Sequence, residues 1–188
     1  MQIEDPPLPG VRLLTPRRFA DERGFFSEVW NRRRLAELGI TLDFVQDNHS
    51  FSRERHTVRG LHFQAPPHAQ DKLVRVGAGR ILDVAVDVRR GSPAYGRWFA
   101  AELSAENGRQ MLVPAGFLHG FLTLEPDTEV YYKCSDYYAP ECEGAVRFDD
   151  PALGIDWQLP AGATPLLSAK DAAAGGFADF DSPFEFAG

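Results

Sequence analysis

Between Arg80 and Arg90 the chain alternates strictly. Leu82, Val84, Val86 and Val88 are apolar, and Asp83, Ala85 and Asp87 between them are polar or small. A period of two marks a β-strand whose two faces meet different surroundings. Gly77-Ala78-Gly79 before this run and Gly91-Ser92-Pro93 after it read as turns. Further short strands are predicted at 98–103, 110–113, 118–124 and 129–134, so the stretch from Phe44 to Phe148 is a succession of short strands with regular turns. That pattern belongs to an all-β sandwich or barrel. One helix stands apart from it. Asn31 is placed to cap it, residues 32–38 are good helix formers, and Gly39 sits at the expected stop. Leu35 and Leu38 are predicted to face the core, and Arg32-Arg33-Arg34 to form a solvated face. Residues 172–176 read as a flexible link to an aromatic tail.

The 188 residues, 44% of them hydrophobic and 25% charged, suit a single globular domain. Its core is expected at about residues 40–150, with 151–188 packed on it. A net charge of -7 argues against nucleic acid as a partner, since the chain repels a phosphate backbone at long range. A small phosphorylated ligand is still compatible, because a few arginines in a cleft reverse the local field. No apolar run reaches membrane-spanning length, and the acidic, proline-rich start is not a secretory signal. A cytoplasmic protein is expected, with Cys134 and Cys142 as free thiols in a reducing compartment.

Two of the five histidines have unusual neighbours: His62, in Arg59-Gly60-Leu61-His62-Phe63-Gln64, and His119, in Gly116-Phe117-Leu118-His119-Gly120-Phe121. Gly108, Pro114, Gly116 and His119 together resemble the second motif of the cupin superfamily. In the first cupin motif two histidines one residue apart and a later glutamate hold a metal. Here the matching place reads His62-Phe63-Gln64, and no glutamate follows at suitable spacing. Two imidazoles fall short of the three protein ligands of a catalytic metal site. The resemblance therefore implies a cupin-like jelly-roll barrel with short peripheral helices, and it does not imply a metal. A structural role remains open for His119 alone.

Segments spread over nearly the whole chain resemble the dTDP-4-dehydrorhamnose 3,5-epimerase family. They include Asp21 to Phe26, Phe44 to Ser50, Arg59 to Gln64, Lys72 to Arg75, Tyr131-Tyr132-Lys133, Tyr137 to Pro140 and Leu167 to Asp171. The resemblance implies that His62 is the catalytic base, Asp171 its partner, Tyr132 the acid, and Lys72 the group facing the ketone oxygen. It implies substrate contacts from Arg23, Glu28, Gln46, Asn48, Arg59, His119, Glu143 and Lys170, with Tyr138 stacking on thymine. It also implies a homodimer without cofactor or metal, acting on dTDP-4-keto-6-deoxyglucose in dTDP-L-rhamnose synthesis. Residues from Gly175 onward match no motif of the family.

The chemistry suits these residue types. Inverting a carbon beside a ketone needs a base on one face, charge stabilisation at the oxygen and a proton donor on the other face. Histidine titrates near neutrality and a phenol stays protonated there. Arginine pairs with phosphate oxygens. Periodicity alone does not choose between Tyr131 and Tyr132, and spacing alone makes Lys72 an exposed lysine at a strand start. Three other readings compete: an epimerase of one centre on a related 4-keto nucleotide sugar, a metal-dependent cupin, and a sugar-nucleotide-binding cupin without activity.

Overall fold

The computed structural model describes residues 1–187, and Gly188 lies outside the described residues. Two antiparallel sheets face each other. The six-stranded sheet runs β1 (Gln2–Glu4), β2 (Arg12–Thr15), β10 (Gln110–Val113), β7 (Lys72–Ala78), β12 (Thr128–Cys134) and β5 (Gln46–Ser52). The five-stranded sheet runs β13 (Glu143–Ala145), β6 (Val58–Gln64), β11 (Phe117–Thr123), β8 (Arg80–Asp87) and β9 (Trp98–Ser104). A separate hairpin pairs β3 (Arg18–Asp21) with β4 (Gly24–Ser27). From β5 to β12 the chain changes sheet at every connection except the β8–β9 hairpin. The all-β reading holds, and the strands predicted at 82–88, 98–103, 110–113, 118–124 and 129–134 are present to within two residues at either end. The N-terminal residues also contribute, because β1 and β2 extend the six-stranded sheet.

Three apolar clusters hold these layers. The first lies between the sheets and joins Val74, Val76, Met111 and Val130 of one to Ile81, Ala85, Leu103 and Phe121 of the other. The second covers the outer face of the five-stranded sheet, where Leu82, Val84, Val86, Leu118 and Leu122 meet Leu153, Trp157 and Phe184 from the C-terminal segment. The apolar side of the alternating run at 82–88 thus points away from the barrel. Asp83 and Asp87, both fully buried, share the inward face with Ala85. Burying each Val or Leu is worth about 1.5–3 kcal/mol. The third cluster packs Leu35 and Ile40 against Leu14, Leu73 and Leu112 on the outside of the six-stranded sheet.

The helix α1 (Arg32–Glu37) begins where the sequence predicts, with the Asn31 side chain accepting from the Arg34 amide. Leu38 departs from expectation: it is 41% exposed. It is the C-cap residue, and Gly39 at φ +79° turns the chain so that Ile40 takes the core position instead. Residues 172–176, read as a link, hold the end of helix α2 (Ala169–Ala172) and a parallel bridge from Gly175 to Val146. Beyond them Phe177, Phe180 and Phe184 pack on the second cluster.

Candidate active site

Strand β6 carries the imidazole. Two residues before it, Gly60 at φ +114° lies against β11: an added Cβ would sit 2.6 Å from the His119 carbonyl oxygen and 2.7 Å from the Gly120 Cα. No side chain fits there. The close approach coincides with a register shift between His119 and Phe121, beyond which His62 pairs directly with His119.

The His62 ring is held from outside the sheets. Its Nε2 lies 2.5 Å from Asp171 Oδ1, on the buried face of α2. Ser168 caps that helix twice over. Its hydroxyl accepts from the Asp171 amide at 3.0 Å and donates to Asp171 Oδ2 at 2.8 Å. Burial pushes the His62 pKa below the ordinary imidazole range; the Asp171 charge opposes this, while Lys72 and Lys170 reinforce it.

The facing sheet supplies the phenol. On β12, Tyr131 and Tyr132 point to opposite faces. Tyr131 stacks on His49 outside the barrel at a ring distance of 4.3 Å, with the Arg75 guanidinium over its ring. Tyr132 points inward, where burial holds its phenol above the usual tyrosine range. Lys72, the first residue of β7, also faces the interior. Burial lowers its pKa, and the surrounding Cys134, Glu143 and Asp83 counter that.

These groups line one cleft with two lobes of about 320 Å³ each, and His62, Lys72, Tyr132 and Glu143 belong to both. One lobe continues to Gln46, Asn48 and Tyr138, the other to Arg59, His119, Lys170 and Asp171. Burial works against the charge of Glu143, but Lys170 Nζ at 2.5 Å and the Tyr138 hydroxyl at 2.8 Å hold its carboxyl below the usual range. His119 Nε2 lies 2.8 Å from Oδ1 of the fully buried Asp83, and Asp83 Oδ2 has no partner among the described residues. Burial raises the Asp83 pKa against the opposing pull of His119 and Lys72. Among the described residues no group of three His, Cys, Asp or Glu side chains is arranged to hold a metal ion.

Every predicted site residue lines this cleft except Arg23 and Glu28. Arg23 stands on the β3–β4 hairpin, 84% exposed at its side chain and paired with Asp21. Glu28 is engaged by Asn31 and Arg34. The next residue, Val29, accepts a hydrogen bond from Gln110 at the outer face of the six-stranded sheet. Neither residue lines the cleft of its own chain. Sequence reasoning missed Ser168, Asp83 and Gln64. The spacing Ser168-x-x-Asp171 is a capping signal that could have revealed the first. The alternating run gave no sign that its polar face points inward.

Two sheets enclosing a cleft, with a carboxylate-held imidazole on one wall and a buried phenol on the other, define a cupin-like protein equipped for proton transfer. The family profile described as dTDP-4-dehydrorhamnose 3,5-epimerase matches residues 5–179. The chain belongs to this family of isomerases. A dTDP-4-dehydrorhamnose 3,5-epimerase from Salmonella typhimurium is 51% identical over 168 residues, covering 89% of this chain and 90% of its own. The crystal structure of a dTDP-6-deoxy-D-glucose-3,5-epimerase from Legionella pneumophila, in complex with dTDP-4-keto-L-rhamnose, superimposes with a TM-score of 0.93 at 45% identity, covering 99% of both chains. A 3'-monoepimerase from Streptomyces bikiniensis in complex with dTDP-quinovose has a TM-score of 0.84 at 34% identity, covering 92% of this chain and 86% of its own.

Proposed function

We propose that the protein inverts C3 and C5 of dTDP-4-dehydro-6-deoxy-D-glucose to give dTDP-4-dehydro-L-rhamnose. The observation that carries this reading is the shared lining of the two lobes: His62 from one sheet and Tyr132 from the other, with Lys72 beside them. His62 removes the proton beside the ketone, and the electron pair delocalises to an enolate. Lys72 donates to the enolate oxygen, and Tyr132 returns a proton to the opposite face.

Each role agrees with its surroundings. Lowering the His62 pKa by burial keeps the ring neutral and able to accept a proton. With Nε2 committed to Asp171, Nδ1 is the nitrogen left to act, and the carboxylate stabilises the imidazolium that forms. A positioned base contributes about 10²–10⁴-fold. A fixed donor at the developing oxyanion adds about 3–4 kcal/mol, which is the part assigned to Lys72. The raised pKa of Tyr132 keeps it a donor throughout the neutral range.

Arg59 and Lys170 suit the pyrophosphate by charge, Gln46, Asn48, His119 and Glu143 the remaining polar groups, and Tyr138 the thymine ring by stacking. The relative crystallised with dTDP-4-keto-L-rhamnose supports this substrate class. Identity is also higher to 3,5-epimerases, at 51% and 45%, than to the 3'-monoepimerase, at 34%. A homodimer is part of the proposal. Arg23 and Glu28 stand outside their own cleft beside the exposed Phe19, Phe25 and Phe26, and in a dimer they serve the nucleotide in the cleft of the partner subunit. Two free cysteines are consistent with a cytoplasmic location, which the proposal includes.

Incubation with the 4-keto substrate in deuterated water, followed by NMR at each ring carbon, tests the assignment. Deuterium at C3 and C5 with both centres inverted is expected. Label and inversion at one carbon would make the protein a single-centre epimerase, and no label at either would end the proposal.

A further inference from the structure

Gln64 occupies the place where a metal-holding cupin carries its second histidine, two residues after His62 on the same strand and face. It is 5% exposed and lines the lobe that ends at Tyr138. All its polar capacity on that side is committed to neighbouring backbone. Its Nε2 donates to the carbonyl of His68 and, at 2.9 Å, to that of Tyr137; its Oε1 accepts from the Ala139 amide at 2.9 Å. The two bonds to 137–139 bracket Tyr138. The Tyr138 amide in turn donates to Gln46 Oε1 at 2.9 Å, and its hydroxyl donates to Glu143, which pairs with Gln64 in the β6–β13 register.

We infer that Gln64 is a positioning residue for nucleotide binding: its amide clamps residues 137–139 to strand β6 and fixes Tyr138 as a preformed platform for a flat base. The side chain at 138 is itself 56% exposed, so its own packing does not hold it in place. A ring stacked on a base yields affinity only if its freedom has already been restricted. The clamp needs an amide in particular. A carboxylate would set an oxygen against two carbonyl oxygens, and an apolar side chain would leave three backbone groups without this partner, the Ala139 amide in a buried place. A metal ligand at 64 would surrender the clamp. The inference rests on the proposed stacking role of Tyr138, so Tyr138 must be tested beside it.

Gln64→Glu keeps size and shape and removes the donors. Its Kd for dTDP, measured by calorimetry, is expected to rise about tenfold, the effect of losing roughly 1.4 kcal/mol. A role confined to folding would lower the melting temperature and leave Kd unchanged. Tyr138→Ala is measured in parallel. If it weakens dTDP binding and a folded Gln64→Glu does not, the clamp is wrong. If Tyr138→Ala binds dTDP as the unaltered protein does, the stacking role fails first, and the inference falls with it. Hydrogen exchange on the unaltered protein decides the matter where the variant does not fold. The Ala139 amide should exchange as slowly as the amides of β6, and exchange at the rate of an open loop would overturn the clamp.

Discussion

His62 and Tyr132 are separated by 70 positions in sequence, yet they share one cavity because their strands lie in facing sheets. If His62 takes the proton, His62→Ala stops deuterium from entering the sugar at either carbon. Tyr132→Phe leaves that first exchange and suppresses inverted product by about 10²-fold or more. NMR of both variants in deuterated water separates the two steps, and equal turnover to inverted product in Tyr132→Phe would remove the tyrosine from its role. The pH profile follows from the same burial. If His62 is the base, its neutral form is the working one, and burial depresses its pKa, so the acid limb of kcat/KM should lie below the ordinary imidazole value of about 6.5. Activity then persists at pH values where an exposed histidine would already be charged. At the other end Lys72, if it is the donor to the enolate oxygen, must stay protonated, and its pKa is also lowered by burial. The alkaline limb should therefore fall below the ordinary lysine value of about 10.4, ahead of the raised Tyr132. Kinetics from pH 4 to 11 check both limbs, and an acid limb above 6.5 would contradict the account of His62.

Strands β6 and β11 touch where neither has a side chain, and that contact sets the register of both histidines. Gly60→Ala places a methyl group 2.6 Å from a carbonyl oxygen in a backbone conformation that alanine avoids. Loss of about 2–3 kcal/mol or more is expected, measured by urea unfolding. If the variant unfolds at the urea concentration of the unaltered protein, the close approach is not a constraint. Strands β8 to β12 and helix α1 were legible beforehand, because alternation and turn residues report local geometry; β1 to β4, β13 and α2 were not. The helix cap at Asn31 was legible for the same reason. The burial of Ile40 in place of Leu38 was not, since it depends on how a left-handed Gly39 aims the chain at a neighbouring sheet.

At the scale of the whole molecule, Phe19, Phe25 and Phe26 are exposed, 50%, 58% and 70% accessible, on the hairpin that bears Arg23. Covering such a surface is favourable. If the proposed dimer forms through this surface, sedimentation should give the mass of two chains. Replacing Phe25 and Phe26 together by Asp should then yield monomers with poor affinity for dTDP, because on that proposal Arg23 and Glu28 no longer reach a partner's cleft. A monomer with full affinity would show that each chain completes its own site.

The amino-acid sequence by itself determined the β class, the turns and the residue types for enolate chemistry, since period, glycine placement and side-chain pKa are properties of short stretches. Its resemblance to a family singled out His62, Tyr132 and Asp171. Tertiary structure alone decided which tyrosine faces inward and that Asp83 lies buried beside His119. It also decided that Gln64 spends its amide on the segment around Tyr138 and that Arg23 does not line its own cleft. The reason is physical: alternation gives two faces to every strand, and only the packing of sheet on sheet says which face is the interior.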